Sequence, residues 1–243
     1  FCGTHFFNPP RYLKLLEIIP GPQTDPEVLE FLMDYGKRFL GKTTVWCKDT
    51  PAFIANRIGV FSIMWLFHHV KEKGYTVDEI DKLTGPVIGR PKSATFRTTD
   101  VVGLDTLVHV ANGVKKNVAD DEMSDQFQIP AFIQSMVENK MLGDKTKQGF
   151  FKKTKDDKGN REILVLNLDS LEYESRTKPK FASLEAAKGI DDLGDRIKFL
   201  YNFKDKAGDF YRAHFSSIFA YVANRIPEVS DEIYRLDDAM MAG

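Results

Sequence analysis

After Asp49-Thr50-Pro51 the chain enters a segment, Ala52 to Val70, that offers no consistent polar face. A helix that is apolar nearly all round must be covered on every side, so this segment demands a shell of other elements around it. Its longest apolar run, Ile58 to Phe67, is about half of the roughly 20 residues that a membrane-crossing helix needs. The segment is therefore expected as the central, buried helix of a globular core, and no membrane span is expected.

Elements that could form the shell are legible on both sides. Before residue 50 the signals alternate between strand and helix. Strands are expected at Cys2–Phe7, Tyr12–Ile19 and Thr43–Lys48, each bounded by Pro or Gly. Between the last two, Asp25-Pro26-Glu27 supplies an N-cap and a first-turn proline. Val28, Leu29, Leu32, Tyr35 and Phe39 then recur at helical spacing up to Gly41. Beyond residue 50, Thr76-Val77-Asp78-Glu79 reads as a capping box, and helices are expected at Asp105–Val118 and Ile129–Asn139. Only Ile163–Leu168 alternates convincingly there, so the expected class is mainly α with a small β portion.

The 243 residues suggest one or two domains. With 34 basic and 35 acidic residues the formal net charge is −1, which argues against a general nucleic-acid binder but leaves room for a local phosphate site. Cys2 and Cys47 have neither disulfide nor metal spacing, and nothing indicates an oxidising compartment. No secretory signal is present, and a cytoplasmic location is expected. The opening stretch, Phe1 to Phe7, reads as a strand without a preceding turn, so the chain is expected to be a fragment of a longer protein.

Residues 152–180 are rich in Lys, Asp, Glu and Thr, with Lys155 to Asn160 reading as an exposed turn; a linker is expected there. A weak internal repeat spans it. Lys48-Asp49, a long apolar helix, Asp78-Glu79-Ile80 and Lys82-Leu83 are echoed by Lys204-Asp205, an aromatic-rich helix, Asp231-Glu232-Ile233 and Arg235-Leu236. Two copies of one helical unit would bury their faces together. Asn224-Arg225 also echoes Asn56-Arg57, but the repeat does not align the two pairs, and that echo is read as coincidence.

The chemistry-bearing residues are few. Asn8-Pro9-Pro10 must turn the chain between two strands, and a reversal centred near Arg11 sets His5 opposite Glu17. Leu13, Leu15, Glu17 and Ile19 share one strand face. Glu17 is thus a carboxylate on an apolar face, in need of a partner. A carboxylate that orients an imidazole makes a general base near neutral pH; a satisfied structural pair at a sheet end is the reading that spacing alone favours. Asn56 and Arg57 lie one turn into the apolar helix, where Asn56 would hydrogen-bond either a substrate carbonyl or a neighbouring loop. Gly143 to Gly149 lacks the order of a phosphate loop, Gly85 to Gly89 is no dinucleotide fingerprint, and no GxGxxG follows a strand. His68 and His69 are adjacent and point apart, a poor metal pair. His109 and His214 stand alone, and no metal site is expected.

These motifs, taken together, resemble the 3-hydroxyacyl-CoA dehydrogenase family over the first 151 residues. The residues that carry the likeness are His5-Phe6-Phe7-Asn8-Pro9, Lys14 to Ile19, Lys48-Asp49-Thr50-Pro51 with Asn56-Arg57, Asp100 to Thr106, and Lys145-Thr146 with Gly149-Phe150-Phe151. Lys147 stands where the family usually has Gly, and Ser93-Ala94-Thr95-Phe96 replaces its usual Gly-Pro-Phe. The resemblance is to a long, multidomain bacterial type.

It implies four parts. Residues 1–49 would be the C-terminal remnant of a Rossmann-type NAD-binding domain and 50–151 the helical C-terminal domain. Residues 152–183 would be a linker and 184–243 part of a second helical copy. It also implies fatty-acid β-oxidation: 3-hydroxyacyl-CoA oxidised to 3-ketoacyl-CoA with NAD. In that scheme His5 takes the hydroxyl proton, Glu17 orients it, and Asn56 contacts the substrate. The cofactor-binding residues are expected upstream of Phe1, so the chain alone is expected not to turn over. The second copy has Ala207 to Arg212 in the region of Asn56 and is expected to be a packing module. The expected partner is an acyl-CoA substrate; a fused enoyl-CoA hydratase domain and a homo-oligomer remain open. The competing reading is a non-catalytic helical interaction or dimerisation module.

Overall fold

A computed structural model gives the conformation of residues 1–243. In chain order the elements are β1 (Cys2–Phe6), β2 (Leu15–Pro20), α1 (Pro26–Arg38), β3 (Thr43–Trp46), α2 (Ala55–Lys73), α3 (Val77–Leu83), α4 (Phe96–Val102), α5 (Leu104–Asn117), α6 (Ala131–Glu138), β4 (Phe151–Lys155), β5 (Arg161–Leu166), β6 (Tyr173–Ser175), α7 (Ala182–Ala186), α8 (Leu193–Asn202), α9 (Lys206–Asn224) and α10 (Ile233–Ala242). The chain is mainly α with a small β portion. No helix is long and apolar enough to cross a membrane.

Two compact units result, one of residues 1–62, 113–124 and 217–243, the other of 63–112 and 125–216. This division cuts across the four expected segments, because α2, α5 and α9 each give residues to both units.

In the first unit β2 is the central strand, antiparallel to β1 and parallel to β3. A parallel pair needs a crossover, and α1 supplies it. The Asp25 side chain accepts from the Glu27 N–H, and Lys37 and Arg38 occupy the last turn, where they complement the helix dipole. The helix lies close on the sheet: a Cβ on Gly36 would sit 2.4 Å from Thr44 Cγ2 and 3.2 Å from Leu16 Cδ2. The opposite face of the sheet carries Leu15, Ile19 and Val45, which share one apolar core with Ile54, Ala55, Ile58, Val229, Leu236 and Ala239. Both faces of β2 are therefore buried. The strand begins at Leu15 and not at Tyr12, because the Tyr12 and Leu13 N–H groups turn back to the Pro9 carbonyl. The end of the chain, expected within a separate helical copy, packs Val229, Leu236 and Ala239 into this first core.

Helix α2 starts three residues later than the expected Ala52. Ala52 and Phe53 instead adopt left-handed backbone angles, φ 64° and 54°. Non-glycine residues hold such angles at a cost of order 1–3 kcal/mol each unless their surroundings impose them. Here the surroundings are a buried carboxylate, described below.

In the second unit α3 has the expected capping box, with Thr76 and Glu79 each bonding the other's main-chain N–H. Its aromatic core joins Phe67, Phe96, Phe132 and Phe150, with Phe96 and Phe150 centroids 4.5 Å apart. Helix α4 was not expected. Its start is capped from a distance by Asp81, whose carboxylate accepts the N–H groups of Thr95, Phe96 and Arg97.

Residues 152–183, expected as a linker, carry most of a three-stranded antiparallel sheet, β4-β5-β6. Its first hairpin turns at Asp156, which accepts from the Lys158 and Asn160 N–H groups. The alternating stretch Ile163–Leu168 overlaps β5, while the charged composition hides β4 and β6 because buried residues are few: Phe151, Val165 and Leu166 lie inside and Lys153 and Lys155 face solvent.

Candidate active site

The β1–β2 register pairs His5 with Glu17, as the reversal near Arg11 requires. The His5 Nδ1 atom lies 2.7 Å from Glu17 Oε2. Glu17 is wholly buried, whereas the His5 side chain is 30% exposed. An ionised carboxylate only accepts hydrogen bonds, so the Nδ1 position carries the imidazole proton and Nε2 keeps its lone pair. Phe7 and Phe53 pack against the ring at centroid distances of 4.8 and 5.4 Å, which fixes its plane.

The second carboxylate oxygen explains the late start of α2. Glu17 Oε1 accepts from the Ile54 N–H at 3.1 Å and the Ala55 N–H at 2.9 Å. The left-handed pair Ala52-Phe53 aims both donors at it. Two of the N–H groups that a helix start leaves without partners are thereby satisfied, and the helix dipole favours the negative charge. Glu17 thus has three donors, which offset the cost of burying its charge. Asn56 follows Ala55 directly, half-buried in the first turn of α2. The structure therefore gathers Glu17, its partner His5 and the residue before Asn56 around one helix start.

Sequence reasoning missed the cluster one residue further on. Arg57 is fully buried and donates from Nη2 to Asp121 Oδ2 at 2.7 Å and from Nε to the Tyr221 hydroxyl at 2.6 Å. Tyr221 in turn donates to Asp121 at 2.8 Å, and Arg225 Nη1 lies 3.0 Å from the same oxygen. Burial pushes the Asp121 carboxyl up, but hydrogen bonds from the Met123 N–H, Tyr221 and Arg57 outweigh it and hold the group below its ordinary range. The arginines of the two echoed pairs, Arg57 and Arg225, thus meet on one aspartate. A lone arginine in an apolar helix was the available signal, because a buried guanidinium requires an acid.

The remaining candidates lie in the second unit. His68 Nε2 is 2.9 Å from the Gln128 carbonyl. His69 stacks on Trp65 at 4.3 Å, and His214 lies against Phe210 and Trp65. No three His, Cys, Asp or Glu side chains gather as a metal site would need.

The glycine turns do not fit a dinucleotide. A Cβ on Gly143 would meet the Asp100 carbonyl at 2.2 Å, and one on Gly149 the Asp100 carboxylate at 2.1 Å. Both glycines are filled by Asp100, which accepts from the Phe150 and Phe151 N–H groups. Gly85 to Gly89 wraps a single tight turn. No pyrophosphate cradle is formed by these residues.

The chain is similar to known proteins over its whole length. Residues 53–153 match the family described as 3-hydroxyacyl-CoA dehydrogenase, C-terminal domain, and residues 1–50 match 3-hydroxyacyl-CoA dehydrogenase, NAD binding domain. A Bacillus subtilis protein named "Probable 3-hydroxyacyl-CoA dehydrogenase" is 46% identical over 243 residues, covering 100% of this chain and 30% of that protein. A Rickettsia felis protein bearing the name of a fatty acid oxidation complex trifunctional enzyme is 30% identical over 246 residues, covering 100% of this chain and 32% of its own length. The crystal structure of (S)-3-hydroxybutyryl-CoA dehydrogenase from Ralstonia eutropha aligns with a TM-score of 0.55 at 30% identity, over 61% of this chain and 50% of that one. The chain thus spans about a third of the length of these two sequence relatives. It belongs to the 3-hydroxyacyl-CoA dehydrogenase family.

Proposed function

We propose that the protein oxidises 3-hydroxyacyl-CoA to 3-ketoacyl-CoA in fatty-acid β-oxidation, with the His5–Glu17 pair as general base. The observation that carries this reading is the unequal burial of the pair: the carboxylate is sealed and fully hydrogen-bonded, while the imidazole keeps an accessible edge. His5 Nε2 takes the proton of the substrate's C3 hydroxyl as the carbonyl forms, and Glu17 stabilises the resulting imidazolium through a charge-assisted hydrogen bond. Asn56 contacts the substrate near the thioester or the reacting oxygen.

NAD is the family's cofactor. The turns of this chain do not hold its pyrophosphate, and what the chain itself supplies is the proton side of the oxidation. The name of the Rickettsia felis relative supports a role in fatty-acid oxidation, and a fused hydratase domain belongs to the same reading. We also retain residues 1–49 and 50–151 as two family parts and 184–243 as a partial second helical copy. The matching lengths of α2 and α9, 19 residues each, support that descent.

The test is acetoacetyl-CoA-dependent NADH oxidation by the full-length protein, beside acetoacetate without the CoA. Turnover of the thioester and not of the free acid is expected. Equal turnover of both would point to a small-hydroxy-acid dehydrogenase, and no turnover of either to a non-catalytic module.

A further inference from the structure

The second unit contains a cavity of about 920 Å³ that the reaction above does not use. Its polar lining is strongly unbalanced. Each of its four acids is already engaged. Asp78 pairs with Arg176, and Asp144 takes a two-pronged contact from Arg97. Glu185 pairs with Lys188, and Asp81 is capped by three main-chain N–H groups. Five lysines of the same lining, Lys82, Lys92, Lys147, Lys153 and Lys178, make no hydrogen bond or close ion pair, although Lys82 and Lys153 lie near enough to Glu185 and Asp144 to hold those carboxyls down. Burial also pushes the Asp81 carboxyl up to about 7 against its three main-chain donors and Arg176, which lessens the negative charge it puts on the lining.

Five ammonium groups around one concavity repel one another, and a compact, multiply charged anion relieves that repulsion. They come from five separate places in the chain: α3, the stretch before α4, the turn before β4, β4 itself, and the stretch after β6. Convergence of this kind suits a small ligand, whereas an acidic peptide or a nucleic-acid strand would need a track. Lysine is a point-charge binder of phosphate. The volume falls in the range of small-molecule sites, roughly 300–1,000 Å³, well beyond a single inorganic phosphate. Phe151 and Leu184 add apolar wall for a part of the ligand that carries no charge.

We propose that this cavity binds an organic polyphosphate of nucleotide size. The chemistry is shared by a free nucleoside triphosphate and by the nucleotide end of coenzyme A. The proposal does not rest on the dehydrogenase reading.

The test is calorimetric titration of the full-length protein with ATP, with coenzyme A and with inorganic tripolyphosphate, repeated on the Lys92→Glu, Lys153→Glu double variant. Both lysines are exposed and make no hydrogen bond or close ion pair, so the variant is expected to melt as the wild type does and to keep its acetoacetyl-CoA turnover. Saturable binding of ATP or of coenzyme A, weakened about tenfold or more by the double reversal and by raised salt, is expected. ATP binding lost in the variant assigns the free nucleotide. One equivalent of coenzyme A lost in the variant assigns the CoA nucleotide, and any equivalent at the reaction site cancels in the difference. Absence of binding by both, affinity unchanged in the variant, or tripolyphosphate binding as tightly as either nucleotide would overturn the proposal.

Discussion

Replacing Glu17 by Gln is expected to abolish most turnover while leaving the fold almost untouched. In the native site Oε1 accepts two main-chain N–H groups and Oε2 accepts from His5 Nδ1. The Ile54 and Ala55 donors dictate how a glutamine must sit, because turning its amide nitrogen toward them would oppose donor to donor. The glutamine oxygen therefore takes the Oε1 position and its NH2 group faces His5. Nδ1 must then accept, which moves the imidazole proton to Nε2 and removes the lone pair that would receive the substrate proton.

A tautomer trapped in this way costs on the order of 10⁴ in turnover where a comparable carboxylate-to-amide change has been made in a triad enzyme. The stability cost is about 1–2 kcal/mol, since one charge-assisted bond is lost and two main-chain bonds survive. Glu17→Ala is the contrast. It strips both main-chain donors, at about 1–3 kcal/mol each, and leaves a cavity besides. The assay is acetoacetyl-CoA-dependent NADH oxidation by the full-length protein, paired with urea unfolding of each variant. Turnover of Glu17→Gln within about tenfold of wild type, a barrier change below about 1.4 kcal/mol, would refute the reasoning.

Three further outcomes are expected. Asp121→Ala leaves the fully buried Arg57 without its main acid and should lower stability by about 3 kcal/mol or more in chemical unfolding. Lys147 holds a left-handed angle, φ 61°, which glycine adopts without strain. Lys147→Gly should therefore raise stability by up to about 1 kcal/mol in thermal unfolding. His214 is fully buried with neither ring nitrogen hydrogen-bonded by the protein, and desolvation, with Arg90 and His69 adding to it, holds its pKa well below 6.5. Below that pH the unfolded chain binds a proton that the folded chain refuses, so stability attributable to His214 falls as pH drops, by at most about 1.4 kcal/mol per unit. Unfolding of His214→Phe measured from neutral to acid pH should show the variant gaining on the wild type as pH decreases.

Much of the first unit was legible because its physics is local. The Asn8-Pro9-Pro10 turn and period-two strands fix the His5–Glu17 register without any distant information, and the Asp25-Pro26 cap fixes α1. What the sequence hid was set by distant partners. The start of α2 depends on Glu17, 37 residues before Ile54, so a helix signal at Asp49-Thr50-Pro51 yields instead to a left-handed pair. The start of α4 depends on Asp81 in the same way. Of the β4–β6 sheet only β5 showed, through the Ile163–Leu168 alternation, while β4 was masked by its lysines, since an exposed sheet face contributes no hydrophobic alternation. The Arg57–Asp121–Tyr221 cluster spans 164 residues of sequence. The demand for a partner was visible at Arg57, while the partner's identity was not.

The account turns on His5 acting as the base. The measurement is kcat for His5→Gln against wild type in the full-length protein, with unfolding followed on the same samples. A loss of about 10²–10⁴-fold in kcat, with stability changed by no more than about 1–2 kcal/mol, is the predicted result. Turnover retained within tenfold, or a loss that merely follows unfolding, would contradict the account and make the His5–Glu17 pair a piece of scaffold.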